Sequence, residues 1–349
     1  MLRDELLRRF PRLKKLPPDS YVVGGAVRDL LLGIDPIDVD VACLDPLACA
    51  HAVSERVIRL GSGEHLSAWR VVDGEHAYDF AEILDRNIAA DLARRDFTVN
   101  AMAVRLSDGE LLDPHEGQRD LERRVVRMVA AENFDDDPLR CLKAVRMAVK
   151  HRFDIERATV DAIRARADRI TGIAAERVTY ELSVIFSAGA FRRVVALLHE
   201  TGLDVPLFGR AIDNFQADDV SVAGAYALLV DKPKEYAKRW RWSAELLREV
   251  IALQALFTND DRVRLYDAGE HVARQLPAVL RALGRDDRVD MPDFSMKAFL
   301  SGDEIASIAR IEEGPELGRR KRALLEAQIK GEVRTKDEAA QWISARRSG

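Results

Sequence analysis

The first third of the chain alternates between apolar and polar positions with a period of two. Short apolar runs bounded by glycine, Asp-Pro or Asp-Gly turns predict strands, and two stretches between them have helical spacing. The Asp108-Gly109 pair predicts a hairpin between the last two strands. We therefore expect an α+β domain. The predicted strands are 21–23, 37–44, 69–72, 77–83, 103–106 and 111–112, and the predicted helices are 27–32 and 47–60.

From about residue 119 onwards the strand pattern fades. Longer segments with apolar positions three and four apart follow one another, which predicts an all-helical remainder. We expect a head at 1–120, a helical neck at 121–185, a helical body at 186–260 and a helical tail at 261–349. The predicted helices of this part are 138–150, 157–170, 175–188, 190–201, 244–257, 269–283, 317–329 and 336–346.

Composition narrows the class of protein. The 349 residues are 47% hydrophobic and 32% charged, which excludes a disordered or collagen-like chain. No apolar stretch reaches about 18 residues, so we expect no membrane partner. The N-terminus has no signal-peptide core and three cysteines are too few for a disulfide framework, so we expect a cytoplasmic protein. The net charge of −5, taken alone, argues against a nucleic-acid partner.

Two glycines end the first predicted strand, and a helix follows them at once. Gly24 and Gly25 would let backbone N–H groups approach a phosphate, and the start of the helix favours anions. A lone Gly-Gly pair is usually only a turn. The residues that follow decide between these two interpretations.

Three carboxylates come next in the same domain. Side chains alternate along a strand, so Asp38 and Asp40 share one face, and paired carboxylates suit Mg²⁺. Asp79, in a later apolar run, is the candidate third ligand of a two-metal site for phosphoryl transfer. A lone Asp-x-Asp is usually a solvated edge, but the order strand, Gly-Gly, helix, Asp-x-Asp strand favours function. Asp38, Asp40 and Asp79 are therefore the predicted catalytic and metal-binding residues.

This pattern resembles the nucleotidyltransferases related to DNA polymerase β. The segment 94–103, RRDFTVNAMA, is similar to the RRDFTINAMA signature of class II CCA-adding enzymes and bacterial poly(A) polymerases. Segments 113–121, 136–146 and 176–182 resemble later motifs of that family, so the resemblance covers about 20–190. It implies a DNA-polymerase-β-like head followed by a helical neck, body and tail. It also implies a Mg²⁺-dependent enzyme that extends the 3′ end of tRNA from CTP, and in some members ATP, without a nucleic-acid template.

The resemblance assigns roles in nucleotide binding to particular residues. The glycine pair, Arg28 and Arg95 would contact the triphosphate, Asp96 would accept the ribose 2′-hydroxyl, and Asn100 would orient that loop. Asp137 and Arg140 would hydrogen-bond the base edge, because a carboxylate accepts from an exocyclic amine and a guanidinium donates to ring nitrogen or carbonyl. The predicted nucleotide-binding residues are Gly24, Gly25, Arg28, Arg95, Asp96, Asn100, Asp137, Arg140, Lys143 and Arg146.

The base-selecting segment departs from the family at two positions. Asp136 stands where glutamate is usual, and Lys143 where arginine is common. Both keep the charge but change the contact, which affects how Arg140 is positioned. Acids before Pro138 would also begin a helix well without any further role. The one-sidedly basic helix face that follows favours nucleotide binding over a plain solvated face.

The connection between Asp79 and Arg94 is short, at about fourteen residues. Family members that build the whole CCA end carry a flexible loop there, which helps switch from CTP to ATP. The resemblance therefore favours an enzyme that adds only the two cytidines and leaves adenosine to a separate A-adding partner. Three alternatives stay open: full CCA addition with a compact loop, a poly(A) polymerase, and an inactive RNA-binding protein on the same scaffold.

RNA contacts are expected in the helical part, since nucleotide occupies the pocket of the head. Basic clusters there would meet phosphates and read the shape of tRNA. Trp240 and Trp242 follow one cluster, and at least one of them is expected to be a core residue. The candidate clusters are 192–193, 238–239, 319–322 and 346–347.

Overall fold

A computed structural model of the chain describes residues 2–60, 68–74, 76–212, 214–257 and 261–346. It has two compact units, one made of Met1–Ile185 with Ala196–Ile212 and the other of Phe186–Val195 with Asp213–Gly349. A mixed sheet lies near the N-terminus and helices dominate the rest, which confirms the predicted fold class. The remainder is not all-helical as expected, because Val125–Val126 and Asp154–Ile155 pair as two short strands. The division into head, neck, body and tail stays a prediction. Within the described ranges, no helix is both long and apolar enough to cross a membrane.

The strands of the described residues lie in the first unit. They are β1 (Tyr21–Val23), β2 (Asp38–Cys43), β3 (Ile58–Leu60), β4 (Ala68–Asp73), β5 (His76–Glu82), β6 (Ala103–Arg105), β7 (Leu111–Leu112), β8 (Val125–Val126) and β9 (Asp154–Ile155). Seven of them form one sheet in the order β3-β4-β5-β2-β1-β6-β7, and β8 pairs with β9. The pair β2 and β5 is parallel, whereas the other pairs in the large sheet are antiparallel. The hairpin predicted at Asp108-Gly109 is confirmed by the pairing of β6 with β7.

The helices of the first unit surround this sheet and continue beyond it. They are α1 (Leu2–Arg9), α2 (Gly25–Leu31), α3 (Pro46–Val53), α4 (Ile88–Ala93), α5 (Gly117–Arg123), α6 (Asn133–Asp136), α7 (Arg140–His151), α8 (Arg157–Arg164) and α9 (Ala175–Phe186), with α10 (Phe191–Glu200) and α11 (Asp204–Phe208) after them. Both α9, at its last residue, and α10 extend into the second unit. Short 3-10 turns lie at Pro11–Lys15, Leu84–Arg86, Thr98–Asn100 and Ala167–Gly172.

The described part of the second unit consists of helices and their connections. They are α12 (Val222–Leu229), α13 (Pro233–Trp240), α14 (Ala244–Leu256), α15 (Arg262–Ala268), α16 (Glu270–Ala273), α17 (Leu276–Ala282), α18 (Gly302–Ala309), α19 (Pro315–Ile329) and α20 (Lys336–Ala345). Trp240 and Trp242 are both buried, in a cluster with Tyr226 and Tyr236. The expectation that at least one tryptophan is a core residue is confirmed.

Three predicted helices are wrong in part. The helix expected at 157–170 ends at Arg164, and a 3-10 turn follows it at Ala167–Gly172. The helix expected at 47–60 ends at Val53, and its last residues form β3 instead, because Ile58–Leu60 pairs with the start of β4. Tertiary pairing there outweighs local helical spacing. The helix expected at 269–283 is split in two, and Pro277 lies in the first turn of the second piece, α17. Proline lacks the N–H that would continue a preceding helix.

The apolar packing of the sheet leaves one face of β2 open for polar side chains. Val39 and Val41 point to the buried side and are almost completely inaccessible to solvent. On the opposite face, Ala42 belongs to a small core cluster with Val23 and Leu92. Because side chains alternate along a strand, the two aspartates before Ala42 lie on this second face. On this face, β2 therefore begins with exposed aspartates and ends with a buried alanine.

Candidate active site

The sheet brings the three predicted carboxylates onto neighbouring strands. Asp38 and Asp40 lie on one face of β2, and both are exposed. In the parallel pair of β2 and β5, Asp40 is the register partner of Asp79. The pattern of alternation thus puts all three carboxylates on the same face of the sheet.

The Asp40 carboxyl has an unusual electrostatic environment. It is open to solvent on one side, yet the protein around it desolvates the charged form, and this desolvation raises its pKa. Repulsion by Asp79 and Asp38 raises the pKa further, while the charges of Arg95 and Arg70 oppose the shift. A cation placed beside these carboxylates would relieve the same repulsion.

Asp79 already has a partner in this structure. Arg70 of β4 is its register partner across the antiparallel pair, and the guanidinium holds both carboxylate oxygens. Arg70 Nε donates to Oδ1 at 2.7 Å and Nη2 donates to Oδ2 at 2.6 Å. Asp79 therefore lies between Asp40 on one neighbouring strand and Arg70 on the other.

The three carboxylates are chemically suited to a divalent cation, although they do not form a complete coordination site. Carboxylate oxygens are the ligands that Mg²⁺ prefers. Among the residues that the structure describes, no three His, Cys, Asp or Glu side chains are gathered closely enough to hold a metal ion. Both oxygens of the third carboxylate, Asp79, accept hydrogen bonds from Arg70.

Gly24 lies directly against this cluster. Its φ of +73° is in the region that favours glycine. A Cβ atom at this position would lie 2.9 Å from Nη1 of Arg95 and 3.3 Å from Oδ2 of Asp40. The glycine therefore leaves the space in which a side chain of the RRD segment approaches the carboxylates. Gly25, the next residue, begins α2.

A chain of hydrogen bonds links three other predicted residues. Arg28 is buried, and its Nη1 donates to Oδ1 of Asn100 at 2.6 Å. Asn100 in turn donates through Nδ2 to Oδ1 of Asp96 at 3.0 Å. Arg28 is also paired with Asp29, at 2.7 Å. The structure thus uses Asn100 to orient Asp96, and it holds Arg28 among protein acceptors.

An open cavity of about 990 Å³ lies within the first unit, beside the end of β5. Its size is in the range of small-molecule sites. Ala68 and Ala81 form part of the wall, each two residues along its strand from Arg70 or Asp79. The predicted nucleotide-binding residues that line it are Arg95, Asp96, Asp137, Arg140 and Lys143. Those that do not are Gly24, Gly25, Arg28, Asn100 and Arg146.

Ion pairs and hydrogen bonds fix the far wall of this cavity. Asp137 is held by Arg177 of α9, at 3.1 Å, and by Lys143 of α7, at 3.7 Å. Arg140 Nη1 donates to the backbone carbonyl of Asn133 at 2.8 Å. Asp137 and Arg140, predicted to work as a pair, therefore have different protein partners.

Asn133 joins this wall to the RRD segment. Its side chain is buried, and Nδ2 donates to the carbonyls of Ala93 and Arg95 at 2.9 and 2.8 Å. Its own carbonyl accepts the hydrogen bond from Arg140. One residue thus fixes Arg140 and the backbone of Arg95 relative to each other.

Arg146 lies outside the cavity lining. Its Nε is 3.3 Å from Oε2 of Glu181, so the pair joins α7 to α9. Burial raises the pKa of the Glu181 carboxyl, and the charge of Arg146 opposes that rise. This contact gives Arg146 a place in helix packing, and its role in nucleotide binding stays a prediction.

Sequence reasoning did not assign site roles to Arg70, Asn133 or Arg177. The first had a usable signal: an Asp73-Gly74 turn after β4 sets a register in which Arg70 meets Asp79. Asn133 had none, because its two acceptors lie 40 and 38 residues earlier. Arg177 lay in a segment matched to the family, but its partner Asp137 is 40 residues away.

The predicted RNA-binding clusters are largely engaged in ion pairs within their own units. Arg319 and Arg320 pair with Glu316, at 2.7 Å in each case. Arg322 pairs with Asp267 at 2.5 Å. Residue 347 lies outside the described residues. RNA contact by these clusters stays a prediction.

Two family models match the chain. Residues 20–127 match the poly A polymerase head domain. Residues 152–213 match the probable RNA and SrmB-binding site of polymerase A. The first match contains the carboxylates and the RRD segment, and the second contains Arg177.

Similar proteins are tRNA nucleotidyltransferases of different specificity. The A-adding enzyme of Deinococcus radiodurans is 40% identical over 205 residues, which cover 57% of this chain and 47% of that protein. The CC-adding enzyme of Synechocystis sp. is 40% identical over 183 residues, which cover 50% of this chain and 44% of that protein. The match thus spans about half the length of these two curated relatives.

Solved structures extend the likeness to the whole chain. The Bacillus stearothermophilus CCA-adding enzyme, in complex with CTP, superposes with a TM-score of 0.76 at 25% identity. The superposition covers 99% of this chain and 97% of that one.

Proposed function

Because the chain belongs to the class II CCA-adding enzyme and bacterial poly(A) polymerase family, we propose that it adds CMP to the 3′ end of tRNA from CTP. The reaction needs no nucleic-acid template: the terminal 3′-hydroxyl attacks the α-phosphate and pyrophosphate leaves. The observation that carries the proposal is the cavity whose wall contains Asp96, Asp137 and Arg140 next to the strands of the carboxylates. No protein nucleophile is required.

Asp38, Asp40 and Asp79 are the proposed ligands of Mg²⁺. They lie on one face of two parallel strands, and their oxygens suit this cation. When bound, Mg²⁺ lowers the pKa of an attacking hydroxyl and neutralises phosphate charge.

Of the proposed phosphate and ribose contacts, Arg95 and Asp96 line the cavity, and the others lie behind them in the head. Arg95 combines a place in the wall with a guanidinium close to Gly24, so it can meet phosphates beside the carboxylates. Asp96 is the proposed acceptor of the ribose 2′-hydroxyl, and Asn100 orients it. Gly24 and Gly25 leave room for phosphate, while the buried Arg28 supports Asn100. Arg28 would reach phosphate itself only by giving up that contact.

The proposed base contacts lie on the opposite wall. Asp137 accepts hydrogen bonds and Arg140 donates them, so together they suit the amine and ring acceptors of cytosine. Lys143 stands beside Asp137, with its Nζ 3.7 Å from the carboxylate. Both neighbours of Asp137 line the cavity and keep some exposure to solvent, so a base amine would share this carboxylate with them.

The short connection after β5 favours addition of the two cytidines alone. β5 ends at Glu82 and α4 begins at Ile88, with a 3-10 turn between them. Asp85 and Arg86 both have positive φ in this turn, so the connection is tight. A separate A-adding enzyme would then complete the end. Full CCA addition is the second candidate, since the chain superposes along almost its whole length on a CCA-adding enzyme.

Extension of a tRNA that lacks its CCA end tests these proposals. The purified chain is given CTP alone, ATP alone, both, or UTP and GTP, and the products are resolved to one nucleotide. Growth by two cytidines, with no adenosine when both are present, is the expected result. Growth by three identifies a CCA-adding enzyme, and adenosine added only to a tRNA ending in CC identifies an A-adding one. Long adenosine tails on generic RNA indicate a poly(A) polymerase, and no growth indicates an RNA-binding protein.

A further inference from the structure

Arg70 stands out among the charged residues near the carboxylates because sequence motifs do not include it. It grips Asp79 with two hydrogen bonds, at 2.7 and 2.6 Å, so both oxygens of that carboxylate are used. The Arg70 side chain is 40% exposed and that of Asp79 is 21% exposed. The pair is thus accessible from solvent, and either side chain can change partners without unfolding the sheet.

The two β2 carboxylates differ from Asp79 in this respect. Asp38 and Asp40 are exposed at the beginning of β2, and the guanidinium of Arg70 lies on the far side of Asp79 from them. A metal ion can therefore approach Asp38 and Asp40 directly. At Asp79 each oxygen already accepts one hydrogen bond from Arg70, and a cation on a remaining lone pair would lie close to the guanidinium, so the two compete for this carboxylate.

We propose that Arg70 is a built-in counter-ion that holds Asp79 until a divalent cation displaces it. The proposal rests on the proposed function, in which these three carboxylates are the metal site. Three carboxylates on one face repel one another, and a guanidinium on the third reduces that repulsion in the metal-free protein. The same contact makes the cation compete with Arg70 for Asp79. Arg70 is thus a positioning residue that acts through Asp79.

The chain contains a matched ion pair away from the cluster. Arg12 holds Asp73, at the other end of β4, with Nε donating to Oδ2 at 2.7 Å. Both side chains of this pair are 41% exposed, which is similar to Arg70. Replacing Arg12, which lies in the 3-10 turn Pro11–Lys15, removes the same kind of charge from an ion pair with β4 and leaves the carboxylate cluster unchanged.

Binding of Mn²⁺ to the full chain, followed by electron paramagnetic resonance without nucleotide or RNA, tests the counter-ion role. We expect Arg70→Met to bind Mn²⁺ about fivefold more tightly than the wild type, as loss of a partly exposed ion pair allows. Arg12→Met should leave the affinity unchanged. Arg70→Lys, which keeps the charge but loses the two-point grip, should lie between the wild type and Arg70→Met.

A double-mutant comparison separates competition from a general charge effect. In an Asp79→Asn background the guanidinium of Arg70 has no carboxylate to pair with. Arg70→Met should then change the affinity for Mn²⁺ by less than about twofold. A full gain in that background would mean that Arg70 acts only through its charge, and the counter-ion role would be wrong. Equal affinities of the wild type, Arg70→Met and Arg70→Lys, or no binding to any of them, would also overturn it.

The same variants keep this proposal apart from the proposed function. If the wild type extends tRNA but Arg70→Met and Arg70→Lys bind Mn²⁺ no better, the counter-ion role fails while nucleotide addition stands. If the expected series of affinities is found in a chain that extends no RNA, the counter-ion role stands and nucleotide addition fails.

Discussion

The carboxylate cluster and the wall of the neighbouring cavity are built in different ways. In the cluster, the register of β2, β4 and β5 places Arg70, Asp79 and Asp40 side by side. In the cavity wall, Asp137 is held by Arg177, 40 residues away in the chain, and Arg140 by the backbone carbonyl of Asn133. The cluster thus depends on strand pairing, whereas the wall depends on side-chain contacts. Under the proposed function, the cluster would serve phosphoryl transfer and the wall the choice among bases.

The largest effect on the rate of nucleotide addition is expected at Asp40, in the carboxylate cluster. Asp40→Ala should lower the rate of nucleotide addition by at least about 1,000-fold, because a divalent cation supplies several kcal/mol of charge stabilisation. The measurement is single-turnover extension of tRNA lacking its CCA end, with thermal unfolding as a check of the fold. Asp35→Ala, an exposed aspartate just before β2, is the control and should keep its activity. A wild-type rate in Asp40→Ala would contradict the proposal that Asp40 is a ligand of Mg²⁺.

Substitutions at Asp137 or Arg140 should alter the preference among nucleotides more than the rate of addition. Arg140→Ala or Asp137→Ala should lower the preference for CTP over UTP by about 10- to 100-fold, because each variant removes a hydrogen-bond partner of the base. The ratio of kcat/KM for the two nucleotides measures this, and kcat with CTP should fall less than the ratio. Arg169→Ala, a basic residue of the same unit paired with Asp135, serves as the control. Unchanged selectivity in both cavity variants would contradict the protein-template role.

The comparison also explains how far the sequence alone could lead. Asp38 and Asp40 could be placed on one face because strand alternation is a local rule, and Asp79 because a neighbouring apolar run carried it. The helix predicted at 47–60 failed at its end because β3 forms by pairing with β4, which local spacing does not record. Contacts between distant segments, such as Arg177 with Asp137, follow from tertiary packing alone. The shared face of the carboxylates could therefore be predicted, whereas the contacts that hold Asp137 and Arg140 could not.

Asn133 joins Arg140 to the backbone of Arg95, so replacing it should affect both stability and the choice of nucleotide. Asn133→Ala removes two hydrogen bonds to buried carbonyls and should cost about 1–3 kcal/mol of stability. It should also lower the preference for CTP over UTP, because Arg140 and the Arg95 backbone lose their common support. Asn87→Ala is a matched control: Asn87 caps α4, so its loss should cost about 1 kcal/mol without changing selectivity. Equal selectivity in both variants would reduce Asn133 to a structural role.

An effect on stability alone, with no change in activity, is expected at His151, the last residue of α7. Burial lowers the pKa of His151 to about 4, and the positive charge of Arg28 adds to the shift. Among the described residues its Nε2 has no hydrogen-bond partner. The unfolded chain therefore takes up the proton near pH 6.5, before the folded chain does, and stability falls as the pH drops towards 4.

His151→Gln should remove this pH dependence. Between pH 7 and pH 4.5 the wild type should lose about 1–3 kcal/mol more stability than the variant, because one pKa unit corresponds to about 1.4 kcal/mol. Denaturant unfolding at a series of pH values measures the difference, and the exposed His51→Gln controls for the loss of a histidine. Parallel curves for the wild type and His151→Gln would show that His151 is protonated as easily in the folded chain as in the unfolded one.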